Sequence, residues 1–162
     1  MDDAKTPDMK TRELIEKAFA DIPYPGDNNI ADHQDCLECD EVRAFFRGKS
    51  WKDLKFPELH DFNSSLPLLT DRAFLYFLPG YMLACLENWD QIDNVPISIM
   101  TIGGYEDDAW NVKDEARENR KVFTKEQRVA IAAWLKELSE SGPEEWRGDE
   151  QVAYAIDKIL ND

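Results

Sequence analysis

The chain has 162 residues, of which 43% are apolar and 11% aromatic, a composition that excludes a disordered chain and predicts one folded domain with its own core. Its formal net charge of −15 argues against a basic stripe of the kind through which proteins bind nucleic-acid phosphates directly. The polar start MDDAKTPD is unlike a secretory signal, no segment is apolar enough to span a membrane, and an odd number of cysteines, three, is typical of reduced thiols, so we expect a cytoplasmic protein. The domain is expected to comprise residues 1–162, with residues 1–5 as a flexible N-terminus.

The first predicted helix begins at Thr6, because a threonine N-cap followed by Pro7 and Asp8 is a common helix start. Four apolar residues of this segment share one helix face: Ile15, Ala18, Phe19 and Ile22. Pro23 is expected to end the helix, and residues 24–29 are dense in turn formers, which predicts a loop.

The second predicted helix begins at Asp35, because Glu38 follows at the spacing of a capping pair. One apolar stripe runs along it: Cys36, Cys39, Val42 and Phe46. Gly48 suits the C-terminal cap. Residues 50–67 predict short helical turns or loops that pack through aromatic and leucine side chains, among them Trp51, Leu54, Phe56, Leu59 and Phe62.

A central helix within residues 66–89 is the element around which the fold is organised. Residues 73–86 are all apolar, glycine or proline, which predicts a helix buried on every side. Thr70 is the expected N-cap, and Asp71 lies where a helix N-terminus favours an anion. Pro79 removes a backbone donor and therefore predicts a kink or a break.

The chain after this helix is less regular. Residues 95–102 alternate in their second half, which predicts either a short strand or a connection packed on the core, and residues 108–121 are too polar to assign. Thr124 and Gln127 form a capping box, and a last helix begins near Asp149. The expected inward-facing residues of these two helices are Ile131, Trp134, Leu135 and Leu138, and then Val152, Ile156, Ile159 and Leu160. The predicted fold is mainly α, a single compact domain of about five helices around a buried, Pro-kinked central helix.

The acidic residues are grouped along the chain. Residues 18–42 and 73–112 contain no Lys or Arg but several Asp and Glu. A basic protein partner would be steered toward such a surface, although acidity also serves solubility alone. The candidate partner-binding residues are Asp27, Asp32, Asp35, Asp107 and Asp108.

One spacing has the chemistry of a metal site. His33, Cys36 and Cys39 are separated by two residues each, and imidazole and thiolates are good zinc ligands. The fourth ligand would be His60 or Cys85, or an open water position. Because a helix rises about 1.5 Å per residue, one ion can bind all three residues only if His33 lies in the loop before the helix. The alternative is that the thiols are small buried groups on an apolar stripe.

Patterns of known enzyme chemistry are otherwise missing. The chain has no P-loop, no G-x-G-x-x-G and no G-x-S-x-G, so the sequence leans away from an enzyme. Cys36 and Cys39 also have the spacing of a redox pair, but no strand is expected before them and the neighbouring acids disfavour thiolates.

Several motifs are spread along the chain: residues 24–30 (YPGDNNI), the run His33-x-x-Cys36-x-x-Cys39, Gly48-x-x-Trp51, residues 69–81 and the start Phe123-Thr124-x-x-Gln127. Together they resemble a family of small bacterial proteins known only as a domain of unknown function. The similarity covers most of residues 10–140. The resemblance implies a bacterial cytoplasmic protein, and it suggests no particular activity. In style, small acidic helical proteins also resemble immunity proteins of bacterial toxin systems.

Three hypotheses follow. The leading one is a non-enzymatic acidic protein-binding module, with an immunity or antitoxin role as a specific form, that neutralises a basic partner without contacting nucleic acid or membrane. The alternative is a zinc protein that uses His33, Cys36 and Cys39, with a structural role favoured over a hydrolytic one. The third is a DNA mimic, in which carboxylates imitate phosphates.

Overall fold

A computed structural model of the chain describes residues 9–91, 94–104 and 112–162. Seven α-helices lie in these ranges: α1 (Met9–Ala18), α2 (Leu37–Phe46), α3 (Asp71–Glu87), α4 (Val95–Met100), α5 (Val112–Arg120), α6 (Lys125–Ser141) and α7 (Glu150–Asn161). Within the same ranges no strand forms, and one isolated bridge pairs Ala31 with Leu69. The prediction of a mainly α fold is therefore confirmed.

The chain divides into two compact units. Residues 19–95 form one, which we call the central unit, and the residues on either side of them form the other, the flanking unit. The prediction of one domain over residues 1–162 stays a prediction. No helix in the described part of the chain combines the length and the apolar character needed to cross a membrane.

Helix α3 is the core of the central unit. Thr70 caps it as predicted, since its Oγ1 accepts a hydrogen bond from the N–H of Ala73 at 3.1 Å. Eleven of the 17 residues of α3 are buried, which explains why a stretch apolar on all sides folds as one helix. The helix continues through Pro79 without interruption, so of the two predicted alternatives, a kink or a break, the break is wrong. Burial on both sides of Pro79 offsets the lost backbone hydrogen bond.

The start of α3 also fixes the loop that precedes α2. The N–H of Thr70 donates to the carbonyl of Ile30 at 2.9 Å, and its hydroxyl donates to the carbonyl of Asn29 at 2.7 Å. The loop of residues 24–29 was predicted, and these contacts explain how it joins the core.

Aromatic packing joins α2 and the following turns to α3. Phe46 contacts Phe77 with ring centroids 4.6 Å apart, and Phe45 stacks on Phe62 at 4.0 Å. Residues 51–68 form three short 3-10 turns, as the sequence predicted in coarse terms. Helix α2 ends at Phe46, and Gly48 follows with φ +75°, a left-handed conformation suited to a helix end.

Helix α6 is the centre of the flanking unit and packs against both α1 and α7. The predicted capping box is confirmed, since Thr124 and Gln127 exchange both hydrogen bonds. The predicted stripe is also confirmed, with every one of its members buried: Ile131, Trp134, Leu135 and Leu138. On α7, Val152 and Ile159 are buried and Ile156 is half-buried. The prediction that Leu160 faces inward is wrong, because its side chain is 50% exposed. Leu160 lies one residue beyond Ile159, about 100° around the helix from the buried face.

Other element boundaries differ from the predictions. Helix α1 ends at Ala18, four residues before Ile22, and the expected cap at Thr6 and the flexible residues 1–5 lie outside the described residues. The strand considered for residues 95–102 is wrong, because α4 forms there. Val95, Ile99 and Ile102 are buried at helical spacing, whereas a lone strand would leave its backbone groups unpaired. The polar residues that the sequence left unassigned contain α5.

Candidate protein-binding surface

Residues 31–41, which we call the acidic segment, lead into α2 and form its first turn. The helix begins one residue later than predicted, since Cys36 rather than Asp35 is the N-cap and its Sγ accepts from the N–H of Cys39 at 3.2 Å. Asp35 precedes the cap with φ +56°, a left-handed conformation that aspartate tolerates better than most residues. The chain therefore turns sharply just before the helix.

Arg43 fixes this segment from inside. Its Nε and Nη2 donate to the carbonyl of Ala31 at 3.1 and 2.8 Å, and Nη2 also donates to the carbonyl of His33. Its Nη1 pairs with Asp40 at 2.9 Å, and only 21% of the Arg43 side chain is exposed. Arg43, the first basic residue after residues 18–42, thus holds the loop in place, and little of its side chain is exposed to solvent.

The carboxylates of the segment face outward. All five are exposed: Asp32, Asp35, Glu38, Asp40 and Glu41. Of these, Asp40 is the partner of Arg43. Among the predicted partner-binding residues, Asp32 and Asp35 therefore lie together on this segment, while Asp107 and Asp108 fall outside the described residues.

Asp27 is also exposed and has a defined neighbour. Its Oδ1 accepts from the hydroxyl of Tyr24 at 2.6 Å, and the same hydroxyl accepts from the N–H of Gly48 at 2.7 Å. Burial and this hydrogen bond raise the pKa of Tyr24, so the tyrosine stays a donor. Tyr24 thereby connects the loop of residues 24–29 to the end of α2.

Leu37 lies in the middle of the acidic segment and is 76% exposed, more than any other large apolar side chain in the described part of the chain. It is the first residue of α2, and carboxylates flank it at Asp35 and Glu38. Covering an apolar side chain in such an exposed position lowers the free energy, and a binding partner would cover it.

The residues of the predicted zinc site lie in the same segment. His33 is in the loop before α2, which is the condition for one ion to bind all three residues, but it is exposed, whereas Cys39 is fully buried. Cys85 is fully buried on α3, and His60 is exposed on a 3-10 turn. Over the described ranges, no three His, Cys, Asp or Glu side chains are grouped so that they would hold a metal ion.

The electrostatics favour neutral thiols. A hydrogen bond with Cys36, together with burial, raises the pKa of Cys39 to about 11. Burial raises the pKa of Cys85 well above its usual value. Metal ligation and redox chemistry both use the thiolate, so these environments match the packing interpretation of the cysteines more closely.

Sequence reasoning missed Leu37 and Arg43. The exposure of Leu37 could have been predicted, because this residue lies about 180° around α2 from Phe46 and therefore outside the apolar stripe. The role of Arg43 could not have been, since its hydrogen bonds to the carbonyls of Ala31 and His33 depend on the fold of the loop.

Comparison with known protein families identifies a match over most of the chain. A family model described as a family of unknown function (DUF6714) matches residues 10–159. Neither a curated protein nor a solved structure matches the chain.

Proposed function

The chain belongs to the DUF6714 family, a family of unknown function, and we propose that it is a non-enzymatic acidic module that binds a basic protein through the acidic segment. The observation that carries the proposal is the exposed Leu37, set among outward-facing carboxylates. We place the protein in the bacterial cytoplasm, and neutralisation of a basic toxin is the specific form of the function that we favour.

The carboxylates and the apolar side chain of Leu37 have separate roles in the proposed binding. Carboxylates on the segment raise the rate at which a basic partner arrives, and their effect falls as salt screens them. Leu37 supplies the short-range contact, because burying an exposed leucine against a partner contributes about 1.5–3 kcal/mol to the binding free energy. The hydrogen bonds of Arg43 keep the loop in one conformation, so little ordering of the backbone is required on binding.

The test compares three forms of the protein as bait in a lysate of the native host at low salt. These are the unchanged protein, Leu37→Ser, and a charge variant with Asp27→Asn, Asp32→Asn and Asp35→Asn. The matched control carries Glu140→Gln, Glu144→Gln and Glu145→Gln, which remove the same charge from the flanking unit. We expect one basic protein to be retained by the unchanged protein and the control and lost from the other two.

Kinetics with that partner then separate the two roles. The charge variant should bind more slowly and with a flatter salt dependence, whereas Leu37→Ser should mainly speed dissociation. Equal retention by all four forms, or no basic protein at all, would count against the proposal. Displacement of the partner by duplex DNA would identify the carboxylates as a DNA mimic.

A zinc function is the second candidate, because His33 precedes α2 as such a site requires and the N–H of Cys39 donates to the Sγ of Cys36 at 3.2 Å, which keeps the two cysteines adjacent. Elemental mass spectrometry of untagged protein tests it. A stoichiometric zinc that is lost with each of His33→Ala, Cys36→Ser and Cys39→Ser, tested singly, would establish the three residues as ligands. If the protein contains no zinc and all its thiols react with a thiol reagent after unfolding, the cysteines are packing groups.

A further inference from the structure

The flanking unit contains a small basic pocket in an otherwise acidic protein. It has a volume of about 50 Å³ and is lined by residues of three elements, Gly103, Arg117, Arg120, Tyr154, Lys158 and Asp162. Arg117 and Arg120 lie in the last turn of α5, and Lys158 lies in the last turn of α7. Helix C-termini favour cations, which explains in part how three bases come together here.

The two arginines converge on a single carboxylate, and Lys158 lines the same pocket. Arg120 Nη2 pairs with Asp162 Oδ2, and Arg117 Nε lies 3.8 Å from the same oxygen. Hydrogen bonding to Arg120 and the charges of Arg117 and Lys158 hold the pKa of Asp162 below its usual value. Both arginines thus approach one of the two side-chain oxygens of Asp162, and Lys158 adds a third positive charge to the pocket.

Arg120 is built into the pocket. Its side chain is 4% exposed, and Nη1 donates to the carbonyls of Ile102 and Gly103, both at 3.1 Å. Its main-chain carbonyl accepts two hydrogen bonds from Arg128. Its Nε is buried and, within the described part of the chain, has no hydrogen-bond partner. A buried guanidinium with an unused donor is costly unless a further acceptor is sometimes present.

We propose that this pocket binds a small oxyanion, the carboxylate or phosphate group of a small molecule, and that the Asp162 side chain is an internal competitor for the same arginines. An external group with two or three oxygens uses more of the available donors than Asp162 Oδ2 does, including Lys158 Nζ and the outer face of Arg117. The Asp162 side chain is 34% exposed, so it can swing aside without opening the core.

The experiment titrates inorganic phosphate, and separately acetate, into Asp162→Asn and into the unchanged protein, at constant ionic strength set with chloride. We expect saturable binding to Asp162→Asn that is on the order of tenfold tighter than to the unchanged protein, because one competing charge-assisted pair is removed. Whichever anion binds more tightly identifies the ligand class.

Two triple variants, each built on Asp162→Asn, test the location. Adding Arg117→Gln and Lys158→Gln should abolish binding, whereas adding Lys17→Gln and Lys136→Gln, exposed bases of the same unit, should leave it unchanged. Should Asp162→Asn unfold, the carboxyl resonance of Asp162 in the unchanged protein is followed instead, and it should shift as phosphate is added. Binding of neither anion beyond chloride, or equal loss in both triple variants, would overturn the proposal and leave a purely structural ion pair.

Discussion

At the scale of single residues, the cysteines of the acidic segment differ in accessibility and in chemistry. Cys36 is half-buried and its sulfur caps α2, whereas Cys39 and Cys85 are buried. The hydrogen bond with Cys36 and burial raise the pKa of Cys39 to about 11. A thiol in this environment remains protonated throughout the physiological range.

We therefore expect iodoacetamide to modify Cys36 first in the folded protein at about pH 8, with Cys39 and Cys85 protected. Peptide mass spectrometry after short exposures measures the order. Protein unfolded in urea is the control, and there the three thiols should react at similar rates. Modification of Cys39 as fast as Cys36 would show that the thiol is neither buried nor held protonated.

Residue by residue, the sequence predicts best where the physics is local. The caps at Thr70 and Thr124 follow from side-chain chemistry within three residues, and the structure has both. Exposure of Leu37 follows from the helical repeat. The contacts of Arg43 with Ala31 and of Arg120 with Asp162 join positions 12 and 42 residues apart, so no local pattern indicates them.

At the scale of elements, the close approach between α3 and the 3-10 turn Trp51–Asp53 depends on Gly80. A Cβ at this position would lie 2.5 Å from the carbonyl oxygen of Trp51 and 2.7 Å from a side-chain carbon of Leu54. A backbone carbonyl cannot rotate away as a flexible side chain does. The sequence shows only a glycine after a proline, which suggests a break, whereas the structure uses the glycine to admit another element.

Gly80→Ala is therefore expected to lower the free energy of unfolding by about 1–3 kcal/mol, although alanine is intrinsically the better helix former by about 1 kcal/mol. Urea denaturation measures the difference. Ala44→Gly, at an exposed site on α2, calibrates the propensity alone and should cost about 1 kcal/mol. A stabilised Gly80→Ala would mean that the turn does not lie against α3.

The end of α7 is held by the pair between Arg120 and Asp162, and this contact should make stability depend on pH. The pKa of Asp162 lies below the ordinary value of 3.8, so the pair stabilises the folded state above that value and is lost as pH falls through the folded pKa. Melting temperatures of the unchanged protein and Asp162→Asn should differ by a constant amount near neutrality and converge as the pH falls through the lowered pKa of Asp162. Asp157→Asn, an exposed site on the same helix, is the control. Parallel curves at all pH values would contradict a depressed pKa.

At the scale of the whole molecule, a net charge of −15 works against folding, because like charges repel more strongly in a compact state than in an extended one. The core predicted from composition is present in both units, and the helical content follows from the apolar periodicity. The division of the chain into two units was not predicted, since it depends on which helices pack together and not on any one segment.

If the acidic segment is there for binding, its carboxylates should not be needed for folding. We expect the triple variant with Asp32→Asn, Asp35→Asn and Glu41→Gln to be as stable as the unchanged protein or more stable by up to about 1 kcal/mol at low salt, and the difference should shrink as salt screens the repulsion. Asparagine at position 35 keeps the left-handed conformation accessible, so the backbone is not strained by the change. The control with Glu140→Gln, Glu144→Gln and Glu145→Gln removes the same charge from the flanking unit. A loss of more than about 1 kcal/mol in the first variant alone would mean that these carboxylates stabilise the loop, and a structural role would then explain the acidic segment without a partner.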